Sequence, residues 1–269
     1  MKSHLTNITH LTLSECSNFL QSIKWETIEN LVSLDIYLEN DDQDAGLKLS
    51  SVSKNLRHLQ ISGVVQMNVM GISFEAGFGF PDLKTLRFTG KSWDDTDQKA
   101  FRYCCENSPK LEEIYVFGDF ETDAPYKCVS KSIGSLMNRP ALRTLELEIE
   151  DHREVGEEFI ESILNLFNFP GEKPNLKNLI LHPNCPLSTI YKFVNGNFNL
   201  KSLDLYGKIH PEETIEDIIN VLNCDSGLET IRFGADYCGV IPDELSETWG
   251  RLFQRDEFPK LVEYLKKHL

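Results

Sequence analysis

The sequence predicts an α/β solenoid. Short strands form a parallel inner sheet, helices cover most of the outer side, and about nine repeats make one domain over residues 1–269. Three observations predict it. A spacing of apolar, two variable, apolar, one variable, apolar occurs nine times. Its copies start 23 to 34 residues apart, with a mean of 27.5. Between copies the apolar period lengthens from two residues to that of a helix.

The first three copies are Ile8/Leu11/Leu13, Leu31/Leu34/Ile36 and Leu56/Leu59/Ile61. Leu83/Leu86/Phe88, Leu111/Ile114/Val116 and Leu142/Leu145/Leu147 follow. Leu176/Leu179/Leu181, Leu200/Leu203/Leu205 and Leu228/Ile231/Phe233 complete the set. All 27 positions are Leu, Ile, Val or Phe in a chain that is 41% apolar. Alternation of apolar and variable residues is the pattern of a half-buried strand, and the first apolar residue of each copy falls in the turn entering it.

The intervening segments read as helices. Residues 154–168 place Val155, Phe159, Ile160, Ile163, Leu164 and Phe167 on one face, and 212–223 do the same with Ile215, Ile218, Ile219 and Leu222. Glu212 and Glu213 suit a helix N-terminus. Thr96–Asn107, Cys128–Asn138 and Leu187–Asn195 are weaker examples. Proline stands two residues before the template at Pro81, Pro109, Pro140 and Pro174, where it ends a helix and biases the chain to extended backbone. Phe258-Pro259-Lys260-Leu261 repeats that signal; 258–269 is expected to cap the C-terminal end, as a last strand or, preferably, a helix. The acidic run Glu39–Asp44 reads as a solvated loop, and 65–80, rich in Gly and aromatics, as extended.

Charge narrows the partners. With 27 Lys and Arg against 42 Asp and Glu, the net charge is −15 and the pI near 4.9. Phosphate backbones and anionic membrane surfaces are repelled, so a protein partner carrying a basic patch is expected, with no nucleic acid and no membrane. Seven scattered cysteines read as free thiols of a reducing compartment. The first ten residues hold no apolar core for a signal peptide, and no stretch reaches the ~18 apolar residues of a membrane span. A cytoplasmic or nuclear protein is expected, which makes the sequon Asn7-Ile8-Thr9 incidental.

These repeats resemble the leucine-rich-repeat superfamily over residues 5–263, and the family's fold is a horseshoe. The Pro-x-Leu-x-x-Leu-x-Leu lead looks like intracellular members, the ribonuclease-inhibitor-like and F-box/LRR proteins. The family pattern continues to Asn or Cys three residues after the last strand position; here only Cys16 and Asn184 stand there, while Gly63, Gly90, Gly118 and Gly207 open the turn one residue earlier. The first repeat begins by Leu5, leaving no room before it for an F-box. The resemblance implies a protein-binding scaffold, as the substrate-recognition part of a ubiquitin-ligase complex. The alternative is a repeat-only inhibitor or sensor, either an enzyme inhibitor or the repeat domain of an innate-immune receptor.

The variable strand residues are expected on the concave face. One column reads Thr12, Asp35, Gln60, Arg87, Tyr115, Glu146, Ile180, Asp204, Arg232, and the next Ser14, Tyr37, Ser62, Thr89, Phe117, Glu148, His182, Tyr206, Gly234. The candidate partner-binding residues are Tyr37, Arg87, Tyr115, Phe117, Glu146, Glu148, His182, Asp204, Tyr206 and Arg232. Aromatic rings held on rigid strands are the residues interfaces favour. The bland alternative is that the rings merely stack along the strands or lie under a loop. Glu146, Glu148 and Glu150 share a strand face and read as an acidic strip for a basic partner. No phosphate loop, nucleophile elbow or His-Glu-x-x-His occurs, so no enzyme and no cofactor is expected. His182-Pro-Asn-Cys185 has zinc-like spacing but no second ligand pair, and Cys104-Cys105 is no redox pair, so no metal is expected either.

Overall fold

Each apolar template becomes a strand. The computed structural model describes residues 7–14, 23, 28–38, 54–63, 79–90, 93, 95–120, 123–136, 141–150, 159, 161–164, 175–182, 186–196, 199–206, 214–224, 227–234 and 251–267. The fold is α/β, and the chain divides into two compact units, Met1–Leu142 and Arg143–Leu269.

In the first unit β1 (His10–Ser14), β2 (Ser33–Leu38), β3 (His58–Gly63), β4 (Thr85–Gly90) and β5 (Glu113–Asp119) pair in sequence order, all parallel. In the second, β6 (Thr144–Glu150), β7 (Asn178–Leu181), β8 (Ser202–Leu205) and β9 (Thr230–Phe233) are also parallel. β10 (Leu252–Gln254) pairs antiparallel with β9 and follows no template. The helices whose bounds fall among the described residues are α1 (Asp95–Glu106), α2 (Asp123–Leu136), α3 (Leu187–Gly196), α4 (Ile215–Asn223) and α5 (Phe258–Leu265).

Helix prediction succeeded on period and missed on ends. α2 begins five residues before the expected Cys128, because Asp123-Ala124-Pro125 supplies an N-terminal turn that periodicity does not register. Of 154–168, the described residues 159 and 161–164 are helical, with Phe159, Ile163 and Leu164 buried. The segment after Phe258 is a helix with Pro259 in its first turn, while the strand arrives earlier, at β10. Glu39–Asp44, residues 65–78, Cys16, Asn184, Cys185 and Gly207 lie outside the described residues. No described helix is long and apolar enough to cross a membrane.

The template residues make the core. From Leu31 onward every one is buried; at the N-terminal edge Ile8 and Leu11 are half-buried. The rungs repeat a backbone device at the turn. Thr9 carbonyl accepts from the amides of Val32 and Ser33, Val32 from Arg57 and His58, Arg57 from Lys84 and Thr85, and Lys84 from Glu112 and Glu113. The second unit repeats it from Arg143 through Lys177 to Lys201. One carbonyl thus satisfies two amides of the next rung, which settles the turn's backbone polar groups. Side chains add to it: Asn55 Nδ2 donates to Glu29 carbonyl at 3.0 Å. Lys84–Glu112, Lys110–Asp82 and Lys201–Glu229 pair across rungs at 2.6–2.7 Å.

Candidate protein-interaction face

Strand register decides which variable side chains become neighbours. In the first unit Thr12, Asp35, Gln60, Arg87 and Tyr115 lie opposite one another in turn, as do Ser14, Tyr37, Ser62, Thr89 and Phe117. Both expected columns therefore exist there. With the template residues buried, these side chains occupy the other sheet face.

On that face the Arg87 guanidinium lies 4.2 Å from the centre of the Tyr115 ring, a cation–π contact. Tyr115 donates its hydroxyl proton to Glu113 at 3.3 Å, and Thr85 donates to the same carboxylate oxygen at 3.2 Å. Burial, then the Glu113 charge, pushes the Tyr115 hydroxyl above its ordinary value against the pull of Arg87. Phe117 is half-buried, and Tyr37 stands out with 36% of its surface exposed.

A brace behind β5 escaped the sequence reading. Trp93 sits in the left-handed region at φ 41°, buried among Phe88, Phe101 and Phe120 with ring centres 5.0–5.3 Å away. Its indole N–H donates to Phe117 carbonyl at 3.1 Å and so fixes the end of the strand that carries Tyr115 and Phe117. Gly90 and Gly118 face each other in register, and a Cβ on either would run into the indole. These two glycines were read as opening a turn; they make room for Trp93. A tryptophan at positive φ runs against local preference, so no sequence signal located it.

In the second unit Glu146, Ile180, Asp204 and Arg232 form the first column. Glu148, His182 and Tyr206 occupy the second. His182 Nε2 is 3.8 Å from a Glu146 carboxylate oxygen, and its Nδ1 is 3.9 Å from one of Glu148. The His182 ring stacks on Tyr206 with centres 4.6 Å apart and planes 16° from parallel. Arg232 donates to the Tyr206 hydroxyl at 2.5 Å and pairs with Asp204 at 3.6 Å. Gly234 matters to this stack: a Cβ there would come within 2.9 Å of the Tyr206 Cα.

Six of the ten candidate residues therefore form one connected group in this unit. The bland alternative, stacking along the strands, describes the His182–Tyr206 pair. Asp204 departs from the reading, which put it on an open face. It retains 8% exposure, with Arg232 beside it, and Oδ1 makes no hydrogen bond. Burial pushes its carboxyl up; Arg232 pulls it down, Glu146 pushes it up, and His182 pulls it down. A polar cavity of about 420 Å³ lies elsewhere, at the strand-entry turns of the first unit, lined by Asn7, Asn30, Asn55 and Asp82 among others.

No protein-family model matches the chain, and no curated protein matches it. Among solved structures it is similar to a leucine-rich-repeat protein of Leptospira interrogans, at 14% identity and a TM-score of 0.23, covering 87% of this chain and 82% of that one.

Proposed function

We propose that the protein is a leucine-rich-repeat scaffold of about nine repeats that docks a protein partner on its open sheet face. One observation carries the reading. The strands hold aromatic and charged side chains in register on the face opposite the buried templates, with Arg87–Tyr115 in one unit and His182–Tyr206–Arg232 in the other. Rings and guanidinium groups on a rigid support bind with little entropy left to lose, which is the character of interface hot spots. The net charge of −15 favours a partner with a basic patch and disfavours nucleic acid and anionic membranes.

The protein acts by binding rather than by catalysis, in the cytoplasm or nucleus. The resemblance to F-box/LRR proteins makes substrate recognition within a ubiquitin-ligase complex the specific form of this role. The test is capture of partners from native cells followed by mass spectrometry. Replacing Tyr115, Phe117 and Tyr206 together by alanine should lose the specific partners while the circular dichroism spectrum stays unchanged. Undiminished capture by the folded triple variant rejects the sheet face, and absence of ligase subunits from the wild-type capture rejects the ligase form.

A further inference from the structure

The apolar core of the first unit is incompletely covered at its first rung. Every template residue from Leu31 onward is buried, whereas Ile8 and Leu11 are only half-buried. Leu13 keeps 6% exposure where Ile36 and Ile61, its counterparts on the next two rungs, keep 1%. β1 pairs with β2 on one side, and among the described residues no strand pairs with its other side. The last strand of the second unit is a guarded edge by comparison. β10 is three residues long and stands between Arg251 and Arg255, the short charged form that resists pairing.

The outer side of β1 presents backbone groups that can pair. The Thr9 carbonyl accepts from the Val32 and Ser33 amides, so residues 9, 11 and 13 turn their backbone groups towards β2. His10 and Thr12 alternate with them and present theirs to the open edge. β1 also lacks the devices that guard an edge. It is five residues long and holds no Pro, Lys, Arg, Asp or Glu. None of residues 1–14 is acidic, in a chain of net charge −15.

The strand itself indicates its occupant. His10-Leu11-Thr12-Leu13-Ser14 alternates polar and apolar residues symmetrically about Thr12. An antiparallel copy centred there sets Leu11 against Leu13 twice, so that each covers the exposed flank of the other and core meets core. Thr12 then faces its own copy, the two backbones exchanging both N–H···O bonds at a Cα separation of about 5.5 Å. A slip of one residue would set the leucines against polar side chains. We propose that the protein forms a two-fold dimer by antiparallel pairing of β1 with the β1 of a second copy. The uncharged edge lets two strongly acidic chains meet without like charges in contact. This dimer does not rest on the docking reading.

The test is sedimentation equilibrium of the full chain in reductant, which removes any pairs linked through its cysteines. Protomers of 30.8 kDa should associate to pairs, and to nothing larger, as concentration rises. Thr12→Pro deletes the outward N–H and no bond to β2, as proline on an edge strand does. It should sediment as a monomer with an unchanged circular dichroism spectrum. Thr12→Lys, at an exposed position, sets two ammonium groups opposite each other and should raise the dimer dissociation constant several-fold. Thr12→Val, β-branched like threonine, should leave it unchanged. If the proline variant does not fold, the lysine variant decides. The proposal is overturned if the wild type stays monomeric up to about 100 μM. A folded proline or lysine variant that pairs as tightly as wild type also overturns it. So does a series of species that lengthens with concentration, because that is head-to-tail stacking and not a closed pair.

Discussion

At the scale of single residues, space rather than charge sets the tightest constraint. A Cβ at Gly118 would lie 2.2 Å from Trp93 Nε1, 2.5 Å from its Cδ1 and 2.7 Å from Phe120 Cε1. None of these is the loose end of a flexible chain, since Trp93 is wedged by three rings and tied to Phe117 carbonyl. Gly118→Ala should therefore cost about 1–3 kcal/mol, in the manner of overpacked cores, and shift the urea unfolding midpoint down. No loss of stability would mean that Trp93 leaves its pocket freely. Cys104 makes a second residue-scale case. Burial pushes its thiol up to about 12, so almost no thiolate exists at pH 8. Iodoacetamide should leave Cys104 unmodified in the native protein and label it in denaturant, as read by peptide mass spectrometry.

Helix ends show how whole elements are held. α4 starts at Thr214, whose backbone N–H and hydroxyl both donate to the Asp217 carboxylate at 2.9 Å. That carboxylate lies three residues into the chain from the cap, the reciprocal half of a capping box. Asp217→Ala removes it and should destabilise the protein by about 1 kcal/mol, measured by thermal or urea unfolding. At the C-terminal end Glu257 accepts from the Gln254 backbone N–H at 2.8 Å and from Arg251 at 2.9 Å, just before α5. The Gln254 amide first, then Arg251, holds its carboxyl below the ordinary value of 4.5. A lowered pKa in the folded state means stability that is present above 4.5 and is lost as the pH falls through the lowered value. Glu257→Gln should flatten that acid limb in a circular dichroism titration while leaving the alkaline side unchanged. An acid limb identical to wild type would show that the glutamate contributes nothing to it.

Across the whole molecule, what was legible is what is local. Strand positions follow from alternation within six residues, so every template was found. β10 is three residues long, antiparallel and without a template, and nothing local marks it. The strand-entry Asn of Asn7, Asn30 and Asn55, with Asp82 at the same place, was present in the sequence but was sought after the strand instead of before it. As a metal ligand His182 was weighed only against Cys185, its neighbour in sequence, although the aligned columns already set it beside Glu148 from the preceding strand. Side-chain neighbours across the repeat sheet are 23–34 residues apart, and only the aligned columns reveal them. The same columns decide how the molecule responds to salt. The rung pairs Lys84–Glu112, Lys110–Asp82 and Lys201–Glu229 are in direct contact at 2.6–2.7 Å but lie near the surface, where such pairs contribute about 0–1 kcal/mol each. Against them stands the repulsion of a net charge of −15, which acts over longer distances and is screened once the Debye length falls to about 10 Å near 0.1 M salt. The long-range term is the more sensitive to salt, so the protein should gain stability between 10 and 150 mM sodium chloride at pH 7. A gain of ~1 kcal/mol corresponds to a rise of about 2 °C in the unfolding midpoint for a chain of this size. A falling midpoint over the same range would mean that the charge pairs along the rungs outweigh the excess negative charge.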